Sequence, residues 1–372
     1  MNTQQRLELL AGAYPRLFPR AELARLLRTQ LGHVDALDGW IERDGVRVRA
    51  RAPKTIYHIC AGNLAVSALT TLAHGLLLGA RNVVKLPGDR DGDSVARREI
   101  LDFIRGLPAP LRKLVETHRA LDADLLWQAD VVVAFGSDSA MENLHAQTRN
   151  KFIAHGHALS LLWLADPNRL TAKQARACAV DVLTYDQLGC LSPQAIYAPP
   201  GTDFDLLGRR LALALEAQWQ TLEKKPGRPL AVAARIAEAR DVAFALGHRV
   251  WLPPKKHLGW TLIHDPDPTF QPSPLHGVIY LRQAGESTLA KALASVAGRI
   301  STVGVAGALS AGRSAAGQMS SRLEKVFLSL GVSRFCAAGH MQFPPLTWHH
   351  DGRAALADLV TWVDLEVLRT AV

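Results

Sequence analysis

The chain has 372 residues, 48% of them apolar and 21% charged. These are proportions of a globular protein with ample material for a buried core, which excludes disordered, collagen-like and small disulfide-stapled classes. At roughly 150 residues per domain the length suggests about two domains, and the excess of 43 basic over 34 acidic residues, a net charge of +9, favours anionic partners such as nucleotides, coenzyme phosphates or acidic carriers.

The arginines are scattered along amphipathic segments, without basic runs interleaved with aromatics, so nucleic acid is not an expected partner. Cys60, Cys178, Cys190 and Cys336 stand far apart and form no CxxC pair. Neither a zinc knuckle nor a disulfide framework is expected, and reduced thiols point to a cytoplasmic location. Met1 to Leu10 lacks the basic start and apolar core of a signal peptide. The longest apolar stretch, Leu64 to Ala80, is interrupted by Ser67, Thr70, Thr71 and His74 and falls short of the ~20 residues of a spanning helix.

In chain order, Leu7, Leu10, Leu17, Leu23, Leu26, Leu27 and Leu31 repeat at helical spacing, broken by Pro15 and Pro19; they predict two or three short helices forming a cap over residues 1–50. Val46 to Ala50 alternates apolar and basic residues as a half-exposed strand does. Three strand-like runs follow, Thr55 to Cys60, Asn82 to Lys85 and Val131 to Phe135, separated by helical patterns. Such alternation implies parallel crossovers and an α/β fold. A second alternating region reads as a helix over Thr171 to Leu188, a strand over Gln194 to Ala198 and helices across Asp203 to Leu246. A hairpin over Arg249 to Ile263 and a strand over Val278 to Leu281 come next. Gly352 to Leu368 is expected to close the chain as an amphipathic helix.

Four places carry chemistry. In Ile59-Cys60-Ala61-Gly62-Asn63-Leu64 a strand enters a helix through Gly-Asn. Asn63 is either a helix N-cap or an amide donor at the carboxyl edge of the sheet, where open α/β folds bind ligands. Val131 to Phe135 runs straight into Gly136-Ser137 and a helix, a turn whose N–H groups suit a phosphate, although it is neither GxGxxG nor a P-loop. In Asp186-Gln187-Leu188-Gly189-Cys190-Leu191-Ser192-Pro193 a helical pattern stops at glycine and a cysteine follows on the turn; a thiol held there among backbone N–H groups can ionise and act as a nucleophile. Cys60 and Cys178, within apolar patterns, are expected to be buried. The fourth is histidine, His155-Gly156-His157 and His349-His350-Asp351, neither of which supplies a metal-binding spacing by itself, so no metal is expected. Ala308-Leu309-Ser310-Ala311-Gly312 lacks the first glycine of a serine-hydrolase elbow.

Taken in order, Ile59 to Pro87, Val131 to Ser137 and Tyr185 to Gln194, with the Trp-His-His-Asp-Gly phrase ending at Gly352, resemble the aldehyde dehydrogenase superfamily. They are closer to the acyl-CoA reductase family typified by the fatty-acid reductase subunit of bacterial luminescence. The phrase Tyr-Asp-Gln-Leu-Gly-Cys-Leu-Ser-Pro-Gln is the most family-specific of them, and the likeness runs from about Thr55 to Leu359. The resemblance implies a Rossmann-type cofactor domain (51–160), a catalytic α/β domain carrying a cysteine nucleophile (161–345) and a C-terminal segment (346–372) returning to the cofactor domain. Cys190 then attacks an acyl thioester on coenzyme A or an acyl carrier, and Asn63 helps to hold the oxyanion. Lys85 meets the cofactor ribose, Gly136 and Ser137 its pyrophosphate, and Gln187 and Ser192 shape the thiolate loop; His155 or His157 is a candidate proton donor to the leaving thiol.

Departures refine this. Where aldehyde dehydrogenases carry Glu-Leu-Gly-Gly, this chain has Ile153-Ala154-His155-Gly156, so the carboxylate that activates water against the thioester is missing and the thioacyl-enzyme should persist. Lys85-Leu86-Pro87-Gly88 lacks the acidic residue that selects a free 2′-hydroxyl, with Arg90 nearby, which favours NADPH over NADH. No acidic residue precedes the Leu275-His276-Gly277 phrase, so the nicotinamide-ribose contact has no assigned residue. The family further implies a homodimer and an acyl-activating synthetase as partner. A non-acylating aldehyde dehydrogenase and a silent scaffold for an acyl-activating enzyme are the alternatives.

Overall fold

The computed structural model describes residues 1–88, 94–223, 227–307 and 319–366. The chain divides into two compact units, Met1–His157 together with Pro345–Val372, and Ala158–Pro344.

In the first unit the N-terminal leucines form two helices, Thr3–Ala13 and Arg20–Leu31. Leu7, Leu10, Leu23, Leu26 and Leu27 are buried in the same core as Leu72 and Leu76 of the helix Val66–Leu78. The Arg6 guanidinium donates to the Leu77 carbonyl at 2.8 Å, satisfying an otherwise orphaned acceptor at a helix C-terminus. The strands are β1 (Ile41–Arg43), β2 (Val46–Arg51), β3 (Thr55–Ile59), β4 (Arg81–Lys85), β5 (Val115–His118), β6 (Val131–Phe135) and β7 (Lys151–His155). The last five make a parallel sheet in the order β5-β4-β3-β6-β7. Uninterrupted apolar runs such as Val131-Val132-Val133 suit strands covered on both faces.

The second unit contains β8 (Leu159–Leu164), β9 (Pro193–Ala198), β10 (Arg249–Trp251), β11 (Thr261–His264), β12 (Val278–Gln283), β13 (Ile300–Ala306) and β14 (Arg334–Ala337). Their order is β10-β11-β12-β9-β8-β13-β14. Only the β10/β11 pair is antiparallel, the hairpin expected from sequence. Helices Ala172–Leu183, Phe204–Thr221 and Leu230–Ala245 alternate with them.

Two expectations are corrected. The helix expected to run to Leu188 ends at Leu183, where the chain turns sharply. The closing segment is not a helix: in the first unit Thr361–Leu365 is a strand, β15, pairing antiparallel with β2, with Trp362 opposite Ala50 and Val363 opposite Arg49. Its Thr-Trp-Val core favours the pleated state, and the preceding Leu356, Leu359 and Val360 are buried from turns, which mimics helical spacing in the sequence. Among the described residues no helix is long and apolar enough to cross a membrane. Arg90 and the Ala308–Gly312 phrase lie outside the described residues.

Candidate active site

Cys190 sits in the second unit on a tight turn closed by the Ser192 N–H donating to the Gly189 carbonyl at 3.0 Å, just before β9. The turn is pinned from three sides. Buried Ser160 donates to the Cys190 carbonyl at 2.7 Å. Buried Gln187 donates to the carbonyls of Pro193 at 2.8 Å and Val278 at 3.0 Å and accepts the Gly277 N–H at 2.9 Å, so one amide ties the residues before the cysteine to the strand after it. Gln342 donates to the Ser192 hydroxyl and to the Asp181 carbonyl, both at 3.0 Å.

Tyr185, Asp186 and Gln187 have φ of 55°, 54° and 62°, three successive side-chain-bearing residues in the left-handed region. That conformation costs roughly 1 kcal/mol or more for each and persists only because its neighbours over-determine it. Cys190 is half-buried on its turn and Cys336 half-buried within β14, whereas Cys60 and Cys178 are buried. Burial pushes the thiols of Cys60 and Cys336 up to about 12 and that of Cys178 higher still, leaving those three protonated and unreactive at neutral pH. Behind the turn, the buried Asp181 carboxylate accepts the N–H groups of Gly339 at 2.5 Å and Met341 at 3.0 Å; burial outweighs these bonds and raises it to about 7.

In the first unit, Ile59 of β3 is flanked in register by Lys85 of β4 and Ala134 of β6. The sheet is built outward from β3 in both directions, so β3 and β6 meet at a topological switch point, the place where open parallel sheets take a ligand at their carboxyl edge. Lys85, the loop holding Asn63 and the Gly136-Ser137 turn all emerge there. Ser137 caps the nine-residue helix Asp138–Ala146, its hydroxyl accepting the Ala140 N–H at 3.3 Å, so the first-turn N–H groups face the turn as an anion site requires. Asp138 is an acidic residue in that first turn, but its carboxylate is engaged by the His157 N–H at 2.9 Å. These residues fit a phosphate-bearing dinucleotide. Asn63 is exposed and does not cap the helix Val66–Leu78, whose N-cap is Ala65; the N-cap reading of Asn63 is therefore wrong.

His155 is buried at the end of β7. Its ring stacks on Phe135 at 4.6 Å and on His350 at 4.3 Å, and His350 stacks on Trp348 at 4.6 Å. His155 Nδ1 lies 2.8 Å from the Asp351 carboxylate and His350 Nε2 3.6 Å from it. Burial first, then His155, lowers His350 to about 4. Burial works against the charge on Asp351, yet the His155 bond holds that carboxylate below its usual value. His155, His350 and Asp351 bring three potential metal ligands together, but the two imidazole planes lie only 26° apart and face to face. Their in-plane lone pairs therefore run side by side, which disfavours a shared ion. Sequence reasoning missed Ser160, Asp181, Gln342 and the pairing of His155 with Asp351, all of which depend on partners distant in the chain.

The fold matches solved aldehyde dehydrogenases: aldehyde dehydrogenase 21 from Physcomitrella patens, 12% identical with a TM-score of 0.66 over 98% of this chain and 86% of that one, and a putative aldehyde dehydrogenase from Burkholderia cenocepacia, 15% identical with a TM-score of 0.66 over 98% and 85%. Among curated proteins it is similar to the long-chain acyl-protein thioester reductase of Aliivibrio fischeri, 24% identical over 73% of this chain. Long-chain acyl-protein thioester reductase 2 of Photobacterium leiognathi is 23% identical over 94% of it. The chain spans 57% of the length of the first relative and 72% of the second. The acyl-CoA reductase (LuxC) family matches residues 2–362, and with nearly the whole chain covered, the protein belongs to that family.

Proposed function

We propose that the protein reduces an acyl thioester, carried on coenzyme A or an acyl carrier, to the aldehyde, with NADPH as reductant. One observation carries this reading: of four cysteines, only Cys190 combines partial exposure with a rigid turn, while burial holds the thiols of Cys60, Cys178 and Cys336 protonated. Family membership agrees with it.

In this mechanism Cys190 Sγ attacks the thioester carbonyl carbon, and the carbonyl electron pair moves to oxygen. The Cys190 N–H holds that oxyanion, such a donor contributing on the order of 10²–10³ in rate. The intermediate collapses with cleavage of the original C–S bond, and the departing thiolate takes a proton. The acyl group now resides on Cys190, and Ile153-Ala154-His155-Gly156 carries no carboxylate where the resemblance places the water-activating glutamate of aldehyde dehydrogenases. Gly136 and Ser137 would hold the pyrophosphate of NADPH and Lys85 its ribose; when bound, the nucleotide would supply the hydride that reduces the acyl carbon. The thiohemiacetal on Cys190 then expels the cysteine thiolate and releases the aldehyde.

The test is a substrate comparison. Acyl-CoA with NADPH should give stoichiometric NADPH oxidation and aldehyde. Aldehyde with NAD⁺ and water should give acid at a rate lower by about 10²-fold or more, as expected when a general base is lacking. The reverse ranking would assign the chain to aldehyde oxidation.

A further inference from the structure

We propose that Asp186 is the positioning residue of the nucleophile turn, held in place by Arg228 and His276. This rests on Cys190 being the nucleophile, as proposed above. The left-handed run Tyr185-Asp186-Gln187 faces a second one, Leu275-His276-Gly277, with φ of 67°, 55° and 84°. Gly277 tolerates no side chain, since a Cβ there would lie 2.4 Å from the Gly259 carbonyl. The two runs are joined through one carboxylate. Arg228 donates to both Asp186 oxygens, at 2.8 and 2.9 Å, and His276 Nδ1 lies 2.5 Å from Oδ2. Because a carboxylate only accepts, Nδ1 carries the proton.

Arg228 is itself fixed. It donates to the carbonyls of Leu258 at 3.1 Å and His276 at 3.3 Å and lies over the Trp219 ring at 5.8 Å. Asp186 and Arg228 side chains are only 13% and 11% exposed, so the pair is shielded from competing water and salt. The bidentate fork fixes orientation as well as distance. Asp186 immediately precedes Gln187, whose amide closes the ring around residues 188–192. A shift at Asp186 therefore moves Cys190 Sγ relative to any carbonyl presented to it, and misplacement by about 1 Å costs on the order of 10²-fold in a reaction that depends on alignment.

Asp186→Asn replaces one acceptor oxygen by a donor that confronts Arg228 or His276. Three measurements on the full chain separate positioning from folding: near-ultraviolet circular dichroism, the rate of Cys190 acylation by acyl-CoA without cofactor, and the rate of Cys190 alkylation by iodoacetamide, a small reagent that tolerates misorientation. The expected result is a native spectrum, acylation slowed about 100-fold and alkylation changed by less than about threefold. Equal losses in both rates, or acylation within about threefold of wild type, overturn the proposal. If Asp186→Asn does not fold, Arg228→Lys keeps the charge but loses the fork, and acylation should fall about tenfold with alkylation unchanged; unaltered acylation overturns the proposal. Wild-type protein that alkylates at Cys190 but never acylates there removes the nucleophile reading and this inference together. Acylation at normal rates in wild type and Asp186→Asn alike removes this inference alone.

Discussion

Cys190→Ser protein is expected to fold and to bind NADPH while losing thioester reduction by on the order of 10⁴-fold or more. A serine hydroxyl at neutral pH is almost wholly protonated and a far weaker nucleophile than a thiolate unless a neighbouring base activates it. No other thiol can substitute, because Cys60, Cys178 and Cys336 are all held protonated by burial. Exchange of sulfur for oxygen at a half-buried turn position leaves the bonds from Ser160 and Gln187 in place, so the loss should be in turnover, with the melting temperature nearly unchanged. Iodoacetamide labelling at neutral pH should fall to background in the same variant. Residual turnover within about tenfold of wild type would show that the acyl group never rests on this sulfur.

Acidification should destabilise the first unit more steeply than the second. His58 and His74 are fully enclosed in the first unit. His58 Nε2 meets Asn82 Oδ1 at 3.0 Å, but burial dominates and lowers His58 to about 4 and His74 to about 3. For bases whose folded values are depressed, the neutral form is favoured in the native state. Their stabilisation is therefore complete above the unfolded value of 6.5 and is lost as pH falls from 6.5 toward 4. Each proton taken up on unfolding removes about 1.4 kcal/mol per pH unit; with His350, which burial also lowers to about 4, the three imidazoles together remove on the order of 4 kcal/mol per pH unit, against a total of about 5–15 kcal/mol for a typical domain.

Asp181 in the second unit has the opposite sign. Raised to about 7 from 3.8, it holds its proton in the native state between those values and not in the unfolded chain, so its contribution grows as pH falls from 7 to 4. Amide hydrogen exchange, corrected for intrinsic rates, should show β3 and the helix Val66–Leu78 losing protection between pH 7 and 4.5 while β8 and β9 keep theirs. His74→Leu should remove about a third of that pH dependence in the first unit. Protection that declines equally in both units, or is unaffected by the substitution, would contradict the assignment.

The two halves of the architecture were legible because parallel strands write themselves as short apolar runs between helical patterns. Val131 to Phe135 is a strand with the bounds read from sequence, and the hairpin before Ile263 forms as expected. The turn at Gly189-Cys190 was visible from a helical pattern ending at glycine. Its rigidity was not. Tyr185, Asp186 and Gln187 carry none of the glycine or asparagine marks of a left-handed segment, and what holds them there, Arg228 and His276, lies 42 and 90 residues away. The same distance hides the Asp351 partner of His155, 196 residues on. The C-terminal strand was misread because buried leucines in irregular turns imitate a helix, and only its pairing with β2, on the far side of the chain, reveals the strand.

In the proposed reaction an acyl group passes through a covalent bond to Cys190. Intact-protein mass spectrometry after incubation with a panel of acyl-CoAs in the absence of NADPH tests it most directly. The expected result is one added acyl group per chain, with a mass that tracks the acyl donor, maps to the Cys190 peptide and disappears when NADPH is added. An unmodified protein that nonetheless turns over with NADPH, or an adduct that persists in Cys190→Ser, would contradict it.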